Sequence, residues 1–297
     1  MNSITEHSRA RPGQGNPQRI KVLLYHRVVD SPGLSIEYPG TCIHVRDFRQ
    51  HVTSLERWGY TTITFEDYHF YLEGELHLPK KPVIVTFDDG YADTFENAFP
   101  VLQEFGMKAV VFVLGDRRIR IDEWNSKRGY PLAPLIDDYQ LLELHRHGFE
   151  IGAHSRTHRS LVTLPLHQAW EEISQSRIGL EYVLNAPVRS FSFPYGTTNE
   201  VMKRMVEDAG FIIGCGTYSG PPVFGKDVFE IRRTLIEGNI TPTRFGLRLF
   251  APYEYYAWLR SKVRSWSMVQ YIKPREAALW DPQPVVETMS LSGKEIG

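Results

Sequence analysis

Short apolar runs alternate along this chain with longer stretches in which apolar residues recur every three or four positions, the mark of strands interleaved with helices. Strand-like runs fall at Lys21–His26, Thr61–Thr64, Val83–Phe87, Ala109–Leu114, Phe149–His154, Arg189–Phe193, Phe211–Cys215 and Phe229–Ile236. Between them lie helical stripes. Phe48, Val52 and Leu55 form one after a long polar connection; Val101, Leu102 and Phe105 form another, ended by Gly106. Asp138 is placed to cap a helix carrying Leu141, Leu142 and Leu144, closed by Gly148. A longer helix from about Pro165 to Asn185 turns Ala169, Ile173, Leu180 and Leu184 inward and leaves Glu171 and Glu172 outside, and Val201, Met205 and Ala209 mark a last one ended by Gly210.

Seven or eight strands separated by helices predict an α/β fold, an irregular (β/α) barrel of about seven strands with its site at the C-terminal mouth. A doubly wound open sheet is the structural alternative. Four segments follow: 1–18, a polar tail rich in proline and glycine; 19–240, the barrel; 241–273, an amphipathic extension packing on it; and 274–297, a loose tail. The extension mixes Leu247, Phe250, Tyr253, Tyr255, Tyr256 and Leu259 with Arg248, Arg260, Lys262 and Arg264, so peripheral contact with a membrane surface or a lipid-linked substrate is the second reading of it.

Composition narrows the function classes. The 297 residues are 42% hydrophobic, enough for a sizeable core, and the formal net charge of −1 gives no general attraction for nucleic acid. No apolar window is long enough for a membrane span and the first residues lack an apolar signal core, so the expectation is a cytoplasmic protein, with peripheral membrane contact as an extension of it. Cys42 and Cys215 lack metal-ligand spacing and read as buried thiols of a reducing compartment.

The chemistry is concentrated at strand ends. Val83-Ile-Val-Thr-Phe-Asp-Asp-Gly90 ends on two adjacent carboxylates, and like charges so close raise one pKa unless a cation or a shared proton intervenes. A second segment, Glu150-Ile-Gly-Ala-His-Ser-Arg-Thr-His158, runs as a strand into a loop with two histidines. Two imidazoles and a carboxylate suit zinc, cobalt, nickel or ferrous iron. The third segment is Arg189-Ser-Phe-Ser-Phe-Pro-Tyr-Gly196. Trp124 and Tyr130, in the charged stretch Gly115–Pro134, are candidates for one wall of a substrate cleft, or simply anchors of a long loop.

Thr-Phe-Asp-Asp-Gly, His-Ser-x-x-His and Phe-x-x-Pro-Tyr-Gly, in this order, resemble the motifs of the NodB-like polysaccharide deacetylases, carbohydrate esterase family 4, over about Val22 to Ile236. The resemblance implies a metal-dependent hydrolase that removes an N-acyl group, N-acetyl first, from an amino sugar of a polysaccharide or lipid-linked glycan. It implies Asp88 as catalytic base, Asp89, His154 and His158 as ligands of one divalent ion, zinc first, and the Tyr195 N–H as an oxyanion donor; Tyr195 and Trp124 are the expected substrate contacts. The alternative on the same fold is hydrolysis of other non-peptide C–N bonds, in a formamido sugar, cyclic imide or ureide. A non-catalytic glycan-binding module is disfavoured by the intact set of base and ligands, and a ferrous oxygenase by histidine spacing.

Two departures from the family pattern matter. Ser192 stands where many members carry an arginine that orients the base; Arg233, in Phe229-Glu-Ile-Arg-Arg233, resembles the arginine found after the last strands of related deacetylases and is the candidate replacement. The late Leu-x-His motif is absent too, since no histidine follows His167, but Val22-Leu-Leu-Tyr-His26 resembles it at the other end. First and last strands of a barrel are neighbours, so a circularly permuted barrel would return His26 to the same side of the site as general acid. His44 is a weaker rival.

Overall fold

The computed structural model describes residues 16–38, 40–129, 131–250, 252–253 and 255–259. Residues 1–15, Tyr130, Arg260, Lys262, Arg264 and the expected tail 274–297 lie outside them. The strands and helices are taken in chain order below.

Strand β1 (Lys21–Tyr25) is buried along its whole length and leads through His26 to β2 (Arg27–Val29). The connection read as long and polar holds α1 (Pro32–Glu37) and β3 (Cys42–His44), and β2 pairs with β3 in a small separate sheet. Helix α2 (Val45–Arg57) turns Phe48, His51, Val52 and Leu55 inward. The strand expected at Thr61–Thr64 stops after β4 (Thr61–Thr62), because Thr64 is the N-cap of a helix that the apolar pattern missed, α3 (Phe65–Leu72). A capping box explains the switch: the Asp67 N–H donates to the Thr64 hydroxyl while the Thr64 N–H donates to the Asp67 carboxylate.

Strand β5 (Pro82–Phe87) follows, then a π-turn at Thr94–Ala98 running into α4 (Phe99–Glu104), β6 (Val110–Val113), α5 (Asp138–Arg146) and β7 (Glu150–Ala153). The cap of α5 is Asp137, one residue before the expected Asp138, and it forms a capping box with Gln140. Helix α6 (Leu166–Leu184), β8 (Ser190–Ser192), α7 (Glu200–Asp208), β9 (Ile213–Cys215), β10 (Thr234–Leu235) and α8 (Pro242–Leu249) complete the order.

All pairings among the main strands are parallel, in the order β10-β1-β5-β6-β7-β8-β9, with β4 beside the start of β5. Ile231, three residues before β10, bridges Cys215 of β9, so the two ends of the seven-strand row are tied and the row wraps into a (β/α) barrel. Consecutive strands run the same way because each connection carries a helix or long loop, and their C-terminal ends therefore share one rim. Helix α8 buries Phe245 and Leu249 in the main core, and the Phe245 ring stacks on His51 at 4.1 Å, which ties the start of the extension to α2. Burying one such aromatic ring is worth about 1.5–3 kcal/mol. Both cysteines are buried and reduced.

Candidate active site

The rim collects the charged strand ends. Asp88 and Asp89 leave β5; His154 and His158 leave β7; Ser192 ends β8 and Tyr195 follows it; Arg233 lies before β10 and reaches the rim through its guanidinium. Every one of these except Tyr195 is buried. The backbone there is unusual. Asp89 (φ 72°), Ser155 (φ 56°), His158 (φ 64°) and Tyr195 (φ 60°) occupy the left-handed region, which non-glycine residues adopt at a cost of order 1–3 kcal/mol each. Four of the five such residues among those described lie at this rim, the fifth being Asn185 at the end of α6. Gly90 is forced as well: φ is 71°, and a Cβ there would stand 2.8 Å from Val113 Cγ1.

Asp88 and Asp89 are neighbours in sequence with different partners, because the left-handed turn at Asp89 sends them apart. Asp88 is clasped by Arg233, whose Nη1 and Nη2 donate to its two oxygens at 2.7 Å each. The same guanidinium donates to Ser192 Oγ (2.9 Å), Thr86 Oγ1 (3.2 Å) and the Gly216 carbonyl (2.8 Å), and lies over the Phe112 ring. All three guanidinium nitrogens are thus engaged, in the planar fork that carboxylates match best. Arg233 thus lies against Ser192, and Ser192 Oγ itself donates to Asp88 Oδ2 at 3.2 Å. Burial works against the charge of Asp88, but Arg233 outweighs it, with help from His154, and holds the carboxyl below its usual range.

Asp89 belongs to the histidines. Its Oδ1 lies 3.2 Å from His154 Nε2 and 3.0 Å from His158 Nε2, and one donor atom from each of the three residues falls within 4.8 Å of the others. Burial opposes ionisation here too, yet His158 and hydrogen bonds from both imidazoles hold Asp89 well below the usual carboxylate range. His154 Nδ1 lies 2.8 Å from the Ser192 carbonyl, which can only accept, so Nδ1 carries a proton and Nε2 is the ring atom turned to Asp89. A carboxylate and two imidazoles converging in this way, one imidazole with its tautomer fixed by a backbone carbonyl, are a donor set that fits a divalent ion. His158 Nδ1 is buried and has no hydrogen-bond partner. Its ring is held by faces instead: Trp124 stacks on it at 4.3 Å and 24°, and Tyr195 meets it edge-on at 4.8 Å.

Trp124 is itself positioned. The Asp122 carboxylate accepts from the Tyr91 hydroxyl (3.0 Å), Asn125 Nδ2 (3.1 Å) and the Ala133 N–H (2.6 Å), which fixes the 3-10 turn Glu123–Arg128 over the site. His26, at the end of β1, is placed beside the acids by the hydrogen bond from the Asp88 N–H to the Tyr25 carbonyl (3.0 Å). It is near enough to act electrostatically on both Asp88 and Asp89, and its Nδ1 is buried without a partner among the described residues. His44 instead caps α2, accepting from the Arg46 N–H.

Asp88, Asp89, His154, His158, Tyr195, Trp124, His26 and the Arg233 guanidinium therefore meet at one rim, and His44 does not. Sequence reasoning missed Thr86 and the Tyr91–Asp122–Asn125 clamp, and it misplaced Glu172. That residue is buried, and both its oxygens are engaged by Thr157. The signal was present: Glu172 is three residues after Ala169 and four before Ser176, on the same inward stripe as Ile173 and Leu180.

Comparison with known proteins gives one family. A family model described as polysaccharide deacetylase matches residues 76–214, spanning β5 to β9 and all three motifs. The Bacillus subtilis (strain 168) protein YxkH, assigned to the polysaccharide deacetylases, is 26% identical over 230 residues, 77% of this chain and 76% of that protein. A poly-beta-1,6-N-acetyl-D-glucosamine N-deacetylase of Staphylococcus aureus (strain N315) is 21% identical over 264 residues, 80% of this chain and 88% of that one. Among solved structures, the Streptococcus pyogenes deacetylase PplD in complex with acetate superposes with a TM-score of 0.66 at 22% identity, covering 78% of this chain and 98% of that one, a likeness of fold.

Proposed function

We propose that this chain, whose residues 76–214 match the polysaccharide deacetylase model, is a metal-dependent hydrolase of the NodB-like family removing the N-acetyl group from an amino sugar of a glycan. The observation that carries this is the separation of the two adjacent acids, Asp88 bound to Arg233 and Asp89 to two histidines. A fold can host many chemistries, but a base kept ionised next to a cation site is what amide hydrolysis by water requires.

In this reading Asp89, His154 and His158 hold the ion, zinc before cobalt, nickel or iron. When bound, it supplies Lewis acidity toward the amide carbonyl and the attacking water. Asp88 takes the proton of that water, and Arg233 keeps it ionised and oriented while it does so. The Tyr195 N–H, on a left-handed residue against His158, donates to the oxyanion, a type of contact typically worth ~3 kcal/mol. His26 returns a proton to the departing amine, a poor leaving group without one. Trp124 lines the entrance beside the His158 ring.

The substrate is read as a polymer or a lipid-linked glycan. The exposed Leu247, Phe250, Tyr255, Tyr256 and Leu259 support the second form, in which a cytoplasmic enzyme makes peripheral contact with the membrane. The test is acetate release from N-acetylated amino-sugar oligomers by protein stripped of metal and reloaded. Acetate formed only after reloading supports the proposal. Formate from formamido sugars, or ammonia or amine from a cyclic imide or ureide, with no acetate, moves the enzyme to another C–N hydrolase class.

A further inference from the structure

The two ligand histidines are held by different means. His154 is anchored through its ring, Nδ1–H to the Ser192 carbonyl, whereas His158 Nδ1 has no hydrogen-bond partner and the residue itself is left-handed, with φ 64°. An imidazole that binds a cation normally donates its other N–H to a fixed acceptor, which sets its orientation. Beside the Trp124 and Tyr195 rings, the loop carrying His158 must supply that constraint.

The loop is tied in two places. The His158 N–H donates to Ser155 Oγ at 3.0 Å, closing the turn from within. From outside, Glu172 of α6 accepts from the Thr157 N–H through Oε2 (2.8 Å) and from the Thr157 hydroxyl through Oε1 (2.6 Å). Glu172 is buried, and no side-chain cation is paired with it among the described residues. A buried carboxylate without a counter-ion is costly, and here two short hydrogen bonds to one residue compensate it. Helix α6 is in turn seated firmly against the rim: a Cβ on Gly179 would stand 2.5 Å from the Gly115 carbonyl, in the loop that follows β6.

We propose that Glu172 is a positioning residue for the cation site, fixing Thr157 so that the left-handed His158 presents Nε2 toward Asp89. This rests on the metal-site reading above. It is distinct from that reading because Glu172 contributes no ligand and lies a helix away from Asp89 and His154. The bond energy concentrated on Thr157 offsets the strain that His158 stores, and without it the loop relaxes and the third ligand moves.

Cobalt(II) alone is the probe, bound to the full chain, with affinity read by chelator competition, geometry by the visible absorption of the ion, and the unfolding midpoint of the metal-free protein alongside. E172A should weaken cobalt binding about 10- to 100-fold, the usual worth of an outer partner of a ligand, and shift the absorption spectrum. E172Q, which can accept from the Thr157 N–H and donate to its hydroxyl, should bind within about threefold of wild type, a rescue of hydrogen bonding without charge. T157V, which keeps the N–H bond, should fall between them and decides the matter if E172A does not fold. Unchanged cobalt affinity and spectrum in E172A, or in T157V, would overturn the proposal even with a lowered midpoint, since a merely structural carboxylate gives that result. Absence of cobalt binding in the wild type would overturn the site itself, and this inference with it.

Discussion

Replacing Arg233 by methionine removes a buried charge whose only anionic hydrogen-bond partner among the described residues is Asp88, and the consequences can be worked through from the contacts. Methionine fills similar volume with no donors, so Asp88 keeps only the Ser192 hydroxyl and Thr86 and Gly216 lose a donor. Breaking a buried pair from one side costs about 3–5 kcal/mol, because the remaining charge stays desolvated. In the wild type, Asp88 has a depressed pKa, so its stabilising contribution is present above the unfolded value and lost as pH falls through the folded one. In the variant, burial acts without its opponent and raises the pKa. The stability deficit of R233M should therefore be largest at neutral pH and shrink on acidification, as Asp88 takes up a proton. Turnover should fall about 10²- to 10⁴-fold, with the acid limb of the rate profile displaced upward. Chemical denaturation of the wild type, R233M, D88N and the double variant closes the cycle. A coupling energy on the order of 3 kcal/mol is expected. Additive losses, or an acid limb that stays in place in R233M, would refute the argument that Arg233 holds the base ionised.

H26A should retain metal and lose about 10²- to 10⁴-fold in amide turnover, with a smaller loss on an activated ester whose leaving group needs no proton; equal losses on both would remove the general-acid role. Glu150, buried at the start of β7, accepts from Ser190 Oγ and the Glu66 N–H, yet burial pushes its carboxyl up to about 7. With the folded pKa raised, its contribution is complete below the unfolded value and lost as pH rises through about 7, so E150Q should gain up to about 3 kcal/mol on the wild type between mildly acidic and mildly alkaline pH; parallel stability profiles would contradict this. Sedimentation with anionic vesicles should fall on deletion of the residues after Thr241, and unchanged sedimentation would dismiss the membrane face.

Much of this molecule was legible in the sequence because its strands are buried on both faces. Val83–Phe87 and Lys21–Tyr25 are continuous apolar runs, as a parallel barrel requires, and the acids and histidines that end them need no distant information to be noticed. What escaped was set by polar contacts. Helix α3 begins at Thr64 through a capping box inside a run of threonines that looks extended, and β2 and β3 are three-residue strands too short for a period to register. Glu172 was placed outside because it is charged and follows Glu171, although its register on α6 is inward. The clasp of Arg233 on Asp88 joins residues 145 apart, and the pairing of β1 with β5 on one side and β10 on the other brings them together.

The central claim is that two adjacent carboxylates do separate work, Asp88 at the proton and Asp89 at the cation. Elemental analysis of D88N and D89N, paired with acetate release from an N-acetylglucosamine oligomer, tests it most directly. The account predicts that D88N keeps its metal and loses acetate release, whereas D89N loses both; equal metal loss in the two variants, or full acetate release by D88N, would contradict it.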